Sequence, residues 1–268
     1  MKIYIICDLE GTAGVVDHKS QCCFAGEFYQ EAREQATKEL NALVEGLLES
    51  GATEIVAWDG HGNFPGGINP FCVHQKCKII TGAGDGGPVL LDNSFDAVFL
   101  LGLHAMAGAK KAVLAHSFMP FYDEVVINHL KIGEIGMNCI TASQYDVPVV
   151  FISGDNAGIE EAKALVPNIE CAVVKYGLSE EALELSRQSP ALSLSSSEAC
   201  RLIKNKAVEA MKRVKDIKPL KVSAPYELLV KYKEKQYADN LMNNHPNAKR
   251  IDAVTVQMKE DNFFKLQI

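Results

Sequence analysis

Over residues 1–178 the chain alternates short apolar runs with stretches in which apolar residues recur at three- and four-residue steps. The first run, Ile3-Tyr4-Ile5-Ile6-Cys7, reads as a buried strand that ends in Asp8-Leu9-Glu10-Gly11. From Glu27 to Ser50, the positions Phe28, Ala32, Ala36, Leu40, Leu43, Val44 and Leu47 trace one helical face, and Gly51 closes the helix. Thr53 to Trp58 is a second strand, parallel to the first because a helix crosses between them, and it stops in Asp59-Gly60-His61-Gly62. Lys78-Ile79-Ile80 predicts a short strand, Asp96 to Gly102 a fully buried one that runs out at His104, and Ala112 to Ser117 carries His116 after another apolar run. Glu124 to Asn128 and Leu130 to Ile132 flank Asn128-His129 as a hairpin would. A helix follows from Gly133 to about Tyr145, then a buried strand from Pro148 to Ser153, a helix to Leu165 capped by Gly154-Asp155-Asn156, and a last strand from Cys171 to Lys175.

The texture changes from Ser179. A short helix is predicted before Ser189-Pro190, and a long amphipathic one from Ser197 to Val214 after a run of serines. Residues 220–222 and 226–231 look like strand, 234–243 helical, 254–256 strand, and the tail from Asn262 helical or frayed. The whole predicts an α/β fold: a mostly parallel sheet flanked by helices in a metal-binding catalytic domain, 1–178, with a smaller C-terminal α+β region, 179–268, for packing and assembly.

Composition narrows the partners. With 268 residues, 47% hydrophobic and 23% charged, the chain is an ordinary globular protein, and a net charge of -7 argues against nucleic acid or an anionic membrane surface as partner. No apolar run is long enough to span a membrane, and Met1-Lys2 leads directly into a strand, so the expected location is cytoplasmic. There the eight cysteines are expected to be thiols. Cys7, Cys139 and Cys171 read as core, and neither Cys22-Cys23 nor Cys72 with Cys77 has the gap of a zinc knuckle. Gly82, Gly84 and Gly87 match a dinucleotide fingerprint in spacing, but no acid stands about twenty residues on, and residues 81–88 read as a flexible loop.

The chemistry lies at the strand ends. Two residues apart on an extended chain, Asp8 and Glu10 share a face and repel unless a cation sits between them. Ligands gather at the carboxyl ends of parallel strands, which collects Asp8, Glu10, His61, His104 and Glu134, with His116 close in chain order. Each has a bland reading: Glu134, for one, suits the first turn of a helix. Gathered at one edge, these oxygen and nitrogen donors suit two borderline cations such as zinc, bridged by one carboxylate, a pair that activates water and polarises a carbonyl.

Asp8-Leu9-Glu10-Gly11, Trp58-Asp59-Gly60-His61, Leu101-Gly102-Leu103-His104-Ala105, Ala115-His116-Ser117 and Gly133-Glu134-Ile135-Gly136-Met137-Asn138 together resemble the zinc-dependent D-aminopeptidase family, also called the dipeptide transport protein DppA family. The likeness runs in order over nearly the whole chain, through Tyr145 to Val149 and Lys218-Pro219-Leu220. It implies an aminopeptidase with two Zn2+ per subunit that releases amino-terminal D-residues, chiefly D-alanine, from short peptides. It also implies a ring-shaped homo-oligomer, a decamer being the candidate size, with its sites on an inner chamber. By the same resemblance Asp8, Glu10, His61, His104 and Glu134 are the metal ligands, with Asp8 as bridge, and His116 is the nucleophile or proton-transfer residue. A general acid/base role for His116 is preferred, since a two-metal site supplies its own nucleophile. Cys7 and the glycine content of residues 81–88 depart from the family pattern. Two competing expectations are a metallo-amidohydrolase on another small amide, such as a peptidoglycan fragment, and a metal-dependent small-ligand binding protein without turnover.

Overall fold

The computed structural model describes residues 1–82 and 87–266, so part of the expected loop at 81–88 and the last two residues of the tail lie outside the described residues. In chain order the first elements are β1 (Lys2–Cys7), α1 (His18–Gln21), α2 (Tyr29–Glu49), β2 (Glu54–Asp59), β3 (Cys77–Ile80) and β4 (Ala97–Leu103). Then come β5 (Tyr122–Ile127), β6 (Leu130–Lys131), α3 (Glu134–Ser143), β7 (Val149–Asp155), α4 (Asn156–Leu165) and β8 (Glu170–Gly177). The chain continues with β9 (Ala191–Ser193), α5 (Ser196–Lys212), β10 (Tyr226–Tyr232), α6 (Lys235–Asn244), β11 (Lys249–Arg250) and β12 (Thr255–Glu260).

Two sheets form. The seven-stranded one has the order β3-β2-β1-β4-β7-β8-β9, parallel except for β9, which runs against β8. The order reverses direction between β1 and β4, so the crevice beyond their carboxyl ends is the switch point where an open parallel sheet binds its ligand. Every residue of β4 and β7 is buried, which explains their unbroken apolar runs. Helices α2 and α5 cross closely where Gly46 meets Lys204 and Ala207; a side chain at Gly46 would stand 2.5 Å from the Lys204 carbonyl.

The second sheet is antiparallel, in the order β11-β12-β10-β5-β6. Its strands come from both sides of residue 178, and its apolar core of Val125, Ile127, Leu228, Val230, Val256 and Met258 also takes Ile132 and Ile140 from around α3. The predicted hairpin at Asn128-His129 forms, with both residues at positive φ, and it belongs to this sheet.

Two expectations fail. Residues 178–190 form no helix: with few apolar positions to bury, their backbone bonds outward, Ser179 O accepting from Lys111 N and Ser189 N donating to Val16 O. Residues 220–222 likewise form no strand. The apolar run from Ala112 to Ser117 is a buried loop, and part of the serine run is β9.

Candidate metal and catalytic centre

The two acids at the end of β1 are brought to the site by a turn, because the strand stops at Cys7 and Thr12 N closes onto Leu9 O at 3.1 Å. Strand alternation therefore does not aim them. Close approach of backbone does: Gly11 N donates to Gly102 O at 2.7 Å, and a side chain at Gly11 would lie 2.1 Å from the Leu103 carbonyl. Gly102 itself has φ +72, with Asp8 O only 2.4 Å from where its Cβ would be. Glycine at both places lets the ends of β1 and β4 touch, which seats Asp8 and Glu10 against His104.

The centre is buried: Asp8 is 7% exposed, Glu10 1%, His61 4% and His104 1%. His61 Nδ1 lies 3.4 Å from Asp8 Oδ1 and 3.1 Å from Glu10 Oε2. His104 Nε2 lies 3.4 Å from the other Asp8 oxygen, Oδ2, and 3.5 Å from Glu134 Oε1. The two oxygens of Asp8 thus face two different donor sets. His116 Nε2 stands 3.9 Å from Glu134 Oε1, and its ring stacks on His104 at 4.0 Å between centroids. All six residues expected from the sequence converge here.

Each histidine has one nitrogen beside a backbone carbonyl and the other beside the acids. His61 Nε2 meets Cys22 O at 2.7 Å, His104 Nδ1 meets Ala105 O at 3.0 Å, and His116 Nδ1 meets Leu114 O at 2.8 Å. A carbonyl only accepts, so these nitrogens carry the protons and the opposite nitrogens present lone pairs. Meanwhile Asp8 Oδ2, Glu10 Oε2 and His104 Nε2 are buried and make no hydrogen bond. Buried polar atoms rarely stay orphaned, and these three belong to residues whose donor atoms cluster. Donor atoms of Asp8, Glu10 and His104, and of His104, His116 and Glu134, lie within 4.8 Å of one another, the packing of a metal-ligand set. The residues fit zinc.

Charge points the same way. Burial and the charge of Glu10 push Asp8 up to about 7. Burial also opposes ionisation of Glu10, yet His61, with His116 and His104, holds it well below the carboxylate range. His61 and His104 are raised against the burial that disfavours their charge, His61 by Glu10 and Asp8, and His104 by Glu134 and Asp8, to about 10. Burial and the neighbouring His104 lower His116 to about 4. The acids demand positive charge, and divalent cations meet that demand with the imidazoles left neutral.

The supporting shell was not visible in the sequence. Glu161 accepts from Met106 N at 2.8 Å and Gly133 N at 3.3 Å, tying the loop after His104 to the start of α3, and burial pushes it up to about 7. Asp155 caps α4 as expected, but its second oxygen also takes Val113 N at 2.9 Å and so holds the His116 loop. Lys175, fully buried, reaches the carbonyls of Glu10, Thr12 and Val15. The residue the sequence reading missed at the centre itself is His18, whose Nε2 lies 3.8 Å from Glu10 Oε1 and whose ring meets His116 edge-on at 6.1 Å. Its one signal was position, directly after the helix-capping Asp17.

Comparison with known proteins agrees. A family model described as D-aminopeptidase matches residues 1–267. A D-aminopeptidase of Bacillus subtilis (strain 168) is 31% identical over 227 residues, covering 82% of this chain and 77% of the relative. The solved structure of the Zn-dependent D-aminopeptidase DppA from Bacillus subtilis, described as a self-compartmentalizing protease, superposes with a TM-score of 0.88 at 28% identity, over 98% of this chain and 92% of that one.

Proposed function

The chain belongs to the D-aminopeptidase family, and on that premise we propose how its buried cluster works as a metal-dependent aminopeptidase on short peptides that begin with a D-residue such as D-alanine. Asp8, Glu10 and His61 would hold one zinc ion, and Asp8, His104 and Glu134 a second. Two such ions supply Lewis acidity at the scissile carbonyl and lower the pKa of the attacking water.

His116 moves the proton. Its Nδ1–H is committed to Leu114 O, so Nε2 is the atom that takes a proton from the attacking water and returns it to the departing amine. The stacked His104 ring fixes the plane of that imidazole, and the loop that carries it is pinned through Val113 N to Asp155 and through His116 N to Ala105 O at 3.1 Å. Glu134 keeps its place by accepting from Phe118 N at 2.8 Å.

The observation that carries this reading is the convergence of orphaned Asp8, Glu10 and His104 atoms with carbonyl-tied histidines. Neither an amidohydrolase on another small amide nor a binding protein without turnover is favoured by the family. The test is zinc content measured beside turnover of D-alanyl-D-alanine and its L,L counterpart. Wild type is expected to hold two zinc ions and prefer the D,D peptide. Asp8→Asn should lose both ions and turnover together, whereas His116→Ala should keep its zinc and lose turnover by roughly 100- to 10,000-fold. A His116→Ala enzyme with full turnover would sink the proton role.

Assembly into a ring-shaped homo-oligomer, with a decamer as the candidate size and the cytoplasm as the setting, completes the proposal. Exposed apolar side chains, Phe24, Phe64 and Phe71 at 71%, 83% and 96%, supply surface suited to subunit contacts. No helix among the described residues is long and apolar enough to cross a membrane.

A further inference from the structure

Three peptide units between Glu10 and Val16 are held at both ends, and one side chain supplies an end to each. In the Glu10–Gly11 unit, Gly11 N donates to Gly102 O at 2.7 Å while Glu10 O accepts from Lys175 Nζ. In the Thr12–Ala13 unit, Ala13 N donates to Glu39 Oε1 at 3.0 Å and Thr12 O accepts from Lys175 Nζ at 3.0 Å. In the Val15–Val16 unit, Val16 N donates to Gln21 Oε1 at 2.8 Å and Val15 O accepts from Lys175 Nζ at 2.5 Å. Three carbonyls need three N–H donors, which only the charged ammonium has.

Lys175 stands on β8, three strands from β1 in the sheet, so the loop after β1 crosses to meet it and goes on to β9, where Gly14 N donates to Ser193 Oγ at 2.8 Å. The side chain is fully buried, and among the described residues its ammonium meets these carbonyls and no carboxylate. A buried charge without a counter-charge is a poor source of stability. As a fixed three-donor centre, however, it sets the peptide planes of the loop and with them the backbone from which the Glu10 side chain leaves. The His104 and Glu134 side of the centre is tied separately, by Glu161 through Met106 N and Gly133 N.

Resting on the two-zinc reading above, we infer that Lys175 is a positioning residue that acts through Glu10 and sets the affinity of one zinc ion, the one on Asp8, Glu10 and His61. The ion on His104 and Glu134 does not depend on it.

The test is a zinc titration of the full chain against a competing chelator, resolved into two dissociation constants. Lys175→Met keeps the unbranched side chain and removes all three donors. One constant should rise about 10- to 100-fold, the loss expected when a group that orients a ligand is removed, while the other is unchanged. In a Glu10→Gln background, which already lacks that ligand, Lys175→Met should cost zinc affinity nothing further, a coupling that general loosening of the fold would not produce. Where Lys175→Met does not fold, hydrogen exchange on zinc-free wild type decides: the amides of Gly11, Ala13 and Val16 should already be protected, and free exchange until zinc is added would show that the metal and not the lysine orders the loop. If Lys175→Met raises both constants equally or neither, Lys175 has no such role and the two-zinc reading stands. If wild type binds no zinc, that reading itself falls.

Discussion

The two sheets of this protein solve opposite problems. The buried charged side chains, Asp8, Glu10, Arg33, Glu39, Asp59, His61, His104, Asp155 and Lys175, all belong to the parallel sheet or to the helices and loops on it. The same is true of the buried polar atoms without a hydrogen bond. The antiparallel sheet has an apolar and tyrosine core, and its charges lie outside in pairs such as Lys259–Glu227 and Lys231–Asp123. One region gives up stability to hold charge out of water; the other gains it from ordinary burial. They meet in α3, which carries Glu134 at its first residue, buries Ile135 and Cys139 against one core and Ile140 against the other. The antiparallel sheet thus serves as ballast that fixes one end of the site.

Positive φ tests this contrast most severely. At Gly102 the left-handed backbone coincides with contact, since an added Cβ would meet Asp8 O at 2.4 Å. Gly102→Ala combines left-handed strain of about 1–2 kcal/mol with overpacking of about 1–3 kcal/mol, so a loss of about 3 kcal/mol or more is expected. Because the contact is the backbone of a proposed ligand, zinc affinity should fall as well. Urea unfolding and a chelator titration on the same variant check both, and unchanged zinc affinity would show that the β1–β4 approach does not set the ligand geometry.

Much of the scaffold could be read from the pattern. The helix over α2, the parallel strands and the capped α4 follow from periodicities that tertiary packing reinforces. The proposed ligands Asp8, Glu10, His61 and His104, with His116, were singled out because they follow apolar runs, a signal that survives without knowing which strands are neighbours. What aims them was hidden: the β1–β4 switch depends on strand order, and the turn at Leu9 to Thr12 depends on a glycine contact between residues far apart in sequence. Glu161, Lys175 and His18 were hidden for the same reason, since a lone acid, lysine or histidine carries no period. The helix predicted before Pro190 failed because its backbone partners, Val16 and Lys111, belong to distant loops.

Glu39 gives the charged half of the contrast a pH signature. It is fully buried on α2, takes Ala13 N at 3.0 Å and so supports the loop from Glu10 to Val15, and burial pushes it up to about 7. Its folded pKa lies above the ordinary carboxylate value, so folding takes up a proton. The stability this contributes is fully present below about pH 4.5 and is lost as pH rises through about 7. Its span is on the order of 3 kcal/mol. Glu39→Gln cannot titrate, so its unfolding free energy should decline less than that of wild type between pH 5 and pH 8, with every shared group cancelling in the difference. Parallel pH profiles for the two proteins would place the cost of buried charge elsewhere.

The gentlest test lies in the other sheet and has the opposite sign. Asn128 and His129 turn the β5–β6 hairpin at φ +46 and +73, the left-handed pair that a two-residue hairpin turn requires. His129 is exposed, and nothing in its side chain is needed for that conformation. His129→Gly creates the Asn-Gly turn and relieves left-handed strain, a gain of about 1 kcal/mol that should raise Tm by a few degrees. Zinc affinity and turnover should not change, because the strain being removed lies on the apolar side of α3. A shift in either would mean that the antiparallel sheet carries its strain through to Glu134, and the division between a charged, costly half and a stabilising half would fail at the helix they share.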